Sequence, residues 1–389
     1  MTVLFSHTNA IHPNAGGVSR ITFNLCKLFH AHSINVKILS LKPVSEKNYK
    51  TNSEQFFLPE EQLFSNVNQD YVVDFIGENN IDIVINQSAI DTSTVDFWKA
   101  IRDKKEIRVI SCIHNSLLTP KYNFPYQFEW EWTHSKKYWL FRITEKKIVR
   151  ELVVNLYILL YRKNYRKLEA YSDRIVFLCD GLAEEFFKII GQKSEKVCVI
   201  PNFSENKDAI VSKENLILWV GTIDYRVKKV DYILDVWAQI YKKIPTWRLV
   251  ILGDGPDMES AIEYAKFLKL ENFSFEGRIV PDPYYQQAKL ICVTSTHEAL
   301  PMVIIEAMTH GVVPVVNNSF PAAKSLIRDK VNGILVKPFS REEFTKAILE
   351  LIDTPYSIDN MSNNTIYESI KYNGEHIYYL WQALFTSIS

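Results

Sequence analysis

Short apolar runs alternate with stretches of helical periodicity along the chain. In the first half the runs fall at Thr2 to Ser6, Asn35 to Leu39, Ile81 to Ile85, Arg108 to Cys112, Arg174 to Leu178 and Lys196 to Ile200. Helical patterns open near Val18, Asp70, Thr94 and Leu182. The alternation restarts with Leu216 to Val220, Trp247 to Leu252, Phe273 to Phe275, Leu290 to Val293, Val312 to Val316 and Gly333 to Val336. Strands this apolar, separated by helices, predict α/β architecture with parallel sheets covered on both faces. The polar and charged segment Phe203 to Asn215 reads as a linker between two doubly wound halves. Such halves bind ligands in the crevice beyond the carboxyl ends of their strands. A last apolar helix pattern carries Tyr378, Leu380, Trp381 and Leu384.

Composition narrows the classes of function. With 389 residues, 47% hydrophobic and 13% aromatic, the chain can bury two cores and is not disordered. A formal net charge of zero argues against a general nucleic-acid binder held by phosphate attraction. Cys26, Cys112, Cys179, Cys198 and Cys292 are scattered without a C-x-x-C pair. They read as buried thiols of a reducing cytoplasm. The N-terminus enters a strand directly, without a leader pattern. No apolar run approaches the roughly 20 residues that span a bilayer. The expectation is a cytoplasmic protein, soluble or attached to the inner face of a membrane.

The densest chemistry lies in Ser295-Thr296-His297-Glu298-Ala299-Leu300-Pro301-Met302-Val303-Ile304-Ile305-Glu306. Pro301 suits the first position of a helix. Glu298 then sits in the loop before that helix and Glu306 in its second turn. A helix N-terminus offers unpaired N–H groups and partial positive charge to phosphates or hydroxyls. Carboxylates beside it can accept hydrogen bonds from diols. Gly16-Gly17, straight after the first strand, would let backbone approach a phosphate closely. Asn14 and Arg20 are weaker candidates nearby, and His12 and His297 flank motifs without a comparable argument. There is no D-x-D sequence and no zinc-type cluster, so no metal site is expected.

These segments occur in an order that resembles the retaining glycosyltransferases of family four (glycosyl transferases group 1). The series is Gly16-Gly17-Val18-Ser19-Arg20, Ile113-His114-Asn115, Val199-Ile200-Pro201-Asn202, Val220-Gly221-Thr222 through Asp231, Ile251 to Pro256, Phe275-Glu276-Gly277 and the paired glutamates. It covers about residues 1 to 340. The resemblance implies the GT-B fold, two Rossmann-like doubly wound domains facing each other across a cleft. Residues 1–203 would form the acceptor-side domain and 204–369 the nucleotide-sugar-binding domain, with a helix at about 370–389 crossing back onto the first.

The resemblance also implies roles. Lys228 corresponds to the lysine that contacts the donor diphosphate, whose charge grows as the glycosidic bond breaks. The family's arginine after the strand glycine is replaced by Thr222, with Arg226 as the nearest substitute. Lys229 and Ala299 stand where the family prefers glycine. Glu298 would contact the transferred sugar and Glu306 the ribose, assisted by backbone N–H groups of Leu300, Met302 and Val303. His114 would stabilise developing charge or orient the reacting groups. The donor would be a UDP- or GDP-linked sugar used as substrate, with no cofactor. The reaction would retain configuration without metal, and the acceptor would be a glycan or lipid-linked glycan of cell-surface polysaccharide or glycoconjugate synthesis. The alternatives are a non-catalytic GT-B partner or scaffold subunit, and another GT-B enzyme such as a nucleotide-sugar epimerase.

One region departs from the alternation. Residues 136–167 carry ten basic side chains against Glu145 and Glu151, with an apolar pattern running through them. This suits either an amphipathic helix on an anionic membrane surface or a helical insertion packed on one side and solvated on the other.

Overall fold

The computed structural model describes residues 1–12, 16–42, 54–204 and 213–388. Two parallel sheets organise it. The first contains β1 (Thr2–His7), β2 (Asn35–Ser40), β3 (Gln55–Phe57), β4 (Ile83–Asn86), β5 (Arg108–Ile113), β6 (Arg174–Phe177) and β7 (Val197–Val199). The second contains β8 (Glu214–Val220), β9 (Arg248–Leu252), β10 (Phe273–Gly277), β11 (Ala288–Val293), β12 (Val313–Asn317) and β13 (Ile334–Val336). The strand orders are 3-2-1-4-5-6-7 and 10-9-8-11-12-13. Each sheet therefore reverses direction once, between β1 and β4 and between β8 and β11. That reversal opens the crevice in which doubly wound folds take ligands.

The apolar runs became strands with ends shifted by one or two residues. β4 starts at Ile83, just after Asp82, whose N–H donates to Thr2 O at 3.0 Å and whose carboxylate accepts from Thr2 N at 2.7 Å. Helices begin earlier than periodicity indicates where a side chain caps them. Ser65 accepts from Asn68 N and starts a helix at Asn66 rather than Asp70. Asp91 accepts from Ser93 N and starts another at Thr92 rather than Thr94. Pro301 is the cap and not the first residue of the Met302–Thr309 helix, with extended backbone. The three-residue β3 was not foreseen. Of the expected linker, Glu214 and Asn215 belong to β8, and 205–212 lie outside the described residues.

Three cores matter for the site. One, around Trp237, Tyr232 and Phe344, stabilises the second sheet. Another joins Phe5 and Phe29 of the first half to Trp381 and Phe385 of the Gly374–Thr386 helix. That helix thus crosses back onto the first sheet. A third is shared: Ile113, Phe177 and Phe186 pack with Leu300, Ile304 and Phe320. The halves meet over apolar surface at the carboxyl ends of their strands.

Candidate active site at the two switch points

Each element of the site follows from a strand ending at a reversal of its sheet. Beyond β8, Asp224 Oδ1 accepts from Val227 N at 2.5 Å and Lys228 N at 3.0 Å, which folds the loop into a turn. The loop is pinned to the end of β11, where Thr296 N donates to Val227 O at 2.7 Å and Thr294 Oγ1 to Lys228 O at 2.7 Å. A Cβ on Gly253 would lie 1.8 Å from Gly221 O, so the Gly-Asp-Gly-Pro segment serves this loop by letting backbone pack on backbone. It supports the site without entering it.

These ties bring the charged candidates into contact. Lys228 Nζ lies 2.5 Å from Glu298 Oε1, which also accepts from Ser295 Oγ at 2.7 Å. Arg20, on the first turn of the Gly17–Ala31 helix, reaches across the cleft to Glu306 Oε1 at 2.8 Å. Tyr285 donates its hydroxyl to Glu306 Oε2 at 3.2 Å. The glycine-pair helix and the paired-glutamate helix therefore face one another. Gly16 has φ 97°, a conformation glycine adopts without strain, and a Cβ at Gly16 or Gly17 would meet nothing within 4 Å. Met302 and Val303 sit in a first helical turn, where N–H groups lack an intrahelical carbonyl. Leu300 is buried in the shared core.

His114 borders a cavity of about 440 Å³ at the ends of β1, β4 and β5, lined also by His7, Asn9, Ser19, Gln87 and Asn115. Its Nε2 is hydrogen-bonded to Gln87 Oε1. Burial pushes its pKa down to about 4. Burial first, and the neighbouring His114 second, push His7 to about 3. Both imidazoles are uncharged near neutral pH. A neutral His114 is a hydrogen-bonding group and not a fixed cation, which is compatible with the orienting role.

Other expectations shift. Arg226 is held by Glu131 at 2.5 Å and lies over the Phe128 ring at 5.3 Å. Thr222 is exposed. Lys229 has φ 58°, the left-handed region where glycine is at ease, and its side chain is 0% exposed. It pairs with Asp231 at 2.9 Å and Glu129 at 3.0 Å. Burial opposes its charge, but Asp231 and Glu129 outweigh that and raise its pKa. Glu129 also pairs with Arg341 at 3.0 Å. Burial would raise the Glu129 carboxyl, yet Lys229 and Arg341 hold it below its ordinary value. The buried lysine is compensated by Asp231 of its own half and Glu129 of the other. Asn14 lies outside the described residues.

Sequence reasoning did not find Gln87, Tyr285, Ser295 or the Asn123 bridge. Gln87 follows β4 directly, and its place at a strand's carboxyl end was the available signal. Asn123 Nδ2 donates to Thr296 O and Ser319 O, both at 2.7 Å, tying the first half to the Glu298 loop. A cavity of about 1160 Å³ adjoins that bridge, with Asn123 and Ser319 in its lining. Tyr122, Arg150, Asp180 and Lys324 line it, and none of the expected donor residues does. Position at the switch points, and not cavity size, marks the candidate site.

Comparison with known proteins bears on the family and the fold. The family described as Glycosyl transferases group 1 matches residues 202–371, and Glycosyltransferase Family 4 matches 15–204. A Haemophilus influenzae protein described as an uncharacterized glycosyltransferase is 35% identical over 188 residues, 47% of this chain and 53% of that protein. The amylovoran biosynthesis glycosyltransferase AmsD of Erwinia amylovora is 29% identical over 183 residues, 46% of this chain and 50% of that protein. The chain spans about half the length of these curated relatives. Anabaena HepE, solved with UDP and glucose, superposes over 100% of both chains with a TM-score of 0.72 at 16% identity, a likeness of fold. Matched in both halves and folded as two facing parallel-sheet domains, the chain belongs to the GT-B glycosyltransferases of family four, group 1.

Proposed function

We propose that the protein moves a sugar from a nucleoside-diphosphate donor, UDP- or GDP-linked, to a glycan or lipid-linked glycan of the cell surface. The observation that carries this reading is the meeting of two ion pairs, Lys228–Glu298 and Arg20–Glu306, at the switch points of both sheets. A diphosphate entering here exchanges Glu298 for its own oxygens at Lys228, which frees the carboxylate for sugar hydroxyls. A ribose likewise takes Glu306 from Arg20 and releases a guanidinium toward the phosphates. Each carboxylate thus keeps its cation ordered until the donor replaces it, so little reorganisation is left for the reaction itself.

In the transfer, the bond from the anomeric carbon to the donor phosphate oxygen breaks and one to the acceptor oxygen forms. The acceptor proton passes to a donor phosphate oxygen on the same face, which retains configuration. Lys228, Arg20 and the N–H groups of Met302 and Val303 offset the growing diphosphate charge, and no metal takes part. Neutral His114, fixed by Gln87, orients the sugar or acceptor at the first-half cavity.

The test is a panel of nucleotide sugars with chelator present, following donor binding and slow release of the nucleoside diphosphate. One donor should bind and turn over. Lys228→Ala should lower turnover at least about a hundredfold, the loss seen when one charge-stabilising donor is removed. Glu306→Ala should instead raise the donor Kd by about tenfold or more. Unchanged kinetics in both folded variants would remove the site assignment, and no binding across the panel would remove the transfer reading.

A further inference from the structure

The Lys147–Tyr171 helix has two apolar faces. Val154, Ile158, Tyr165 and Leu168 are buried in the core the two halves share. Ile148, Leu152, Leu156, Leu159 and Leu160 point the other way and are 56% to 75% exposed. At helical spacing these five fall within an arc of about 120° and span about 18 Å. The Tyr138–Thr144 helix, packed against the start of the long one, adds exposed Tyr138, Trp139 and Ile143. A solvated insertion packed on one side only would leave no such second face.

The charges sort in the same way. Arg162 and Arg166 donate to Ile189 O and Ile190 O, Lys167 pairs with Asp96, and Arg150 lies over Tyr122. These four serve the fold. Lys136, Lys137, Arg142, Lys146, Lys147 and Lys163 are exposed; Arg142 pairs with Glu145 at 2.8 Å and Lys147 with Glu151 at 3.6 Å, while Lys163 lies at the angle of the apolar stripe, one turn beyond it.

We propose that this face docks on an anionic lipid bilayer, with the stripe in the boundary of the acyl layer and the cations among headgroup phosphates. Apolar area and basic charge on one face are the two terms that drive interfacial binding. A second copy of the chain fits less well, because a symmetric contact would bring the six cations of each copy together. No described helix is long and apolar enough to cross a membrane, so the helix lies on the surface. Its inner face lines the 1160 Å³ cavity through Arg150 and Val154, so docking sets one wall of that cavity at the lipid. The inference does not depend on sugar transfer, and its readouts are of binding.

The experiment is co-sedimentation of the full chain with phosphatidylcholine vesicles, with and without phosphatidylglycerol. The protein should pellet with the anionic vesicles and be released by salt. Lys146→Ser with Lys163→Ser should weaken this about thirtyfold. Leu156→Asn with Leu159→Asn should weaken it about tenfold or more, with an unchanged melting curve. Protein left in the supernatant, or equal binding to both vesicle types, overturns the proposal. So does a concentration-dependent dimer without lipid binding that the leucine variant converts to monomer.

Discussion

At the scale of the residue, the candidate site is held by groups whose charge states are fixed by their surroundings. His7 and His114 stay neutral because burial penalises the imidazolium, whereas in the unfolded chain both titrate near 6.5. Below that pH the unfolded chain binds protons that the folded one refuses, so stability falls as pH drops from about 6.5 toward about 4. Each histidine should remove about 2 kcal/mol by about pH 5. Urea midpoints at neutral and mildly acid pH, compared with those of His114→Gln, measure it. The variant should lose roughly half of the histidine contribution, and an identical slope would contradict the buried, neutral assignment. The placement of His114 after β5, of Lys228 in the loop beyond β8, of Glu298 before the Met302–Thr309 helix and of Glu306 within it was legible. Their pairing was not, since Lys228 and Glu298 are 70 positions apart and Arg20 and Glu306 are 286 apart.

At the scale of the element, strands were the readable part. Runs such as Leu216 to Val220 are apolar on both faces because helices cover both sides, and that needs no tertiary knowledge. β3 escaped because its three residues are only half-buried, which leaves no contrast to read. Helix starts escaped where Ser65 and Asp91 extended a turn through side-chain caps. The Gly374–Thr386 helix shows how an element far along the chain can belong to the first core. Trp381 and Phe385 pack edge-on against Phe29 at 5.9 and 5.6 Å. Trp381→Ala should cost about 3–5 kcal/mol, read as a shifted denaturation midpoint of the first half. A loss confined to the second half would contradict the packing described.

At the scale of the molecule, the halves are joined by more than a crevice. Glu129 and Glu131 of the first half reach Lys229, Arg341 and Arg226 of the second, and Trp130 packs on Tyr225 with ring centroids 4.3 Å apart. Glu129→Gln removes a charge shared by the buried Lys229 and the partly buried Arg341, and should cost roughly 3 kcal/mol. Small-angle scattering should show a larger radius of gyration for this variant combined with Asn123→Ala. An unchanged radius would mean that apolar contact alone sets the closure. The crossing helix has a further consequence for how the protein is made. The Gly374–Thr386 helix is translated about 175 residues after β7, which at cellular speeds is roughly ten to forty seconds later. Through that interval the face around Phe5 and Phe29 leaves the ribosome without its cover, a nascent chain with an adhesive surface and a natural client for chaperones.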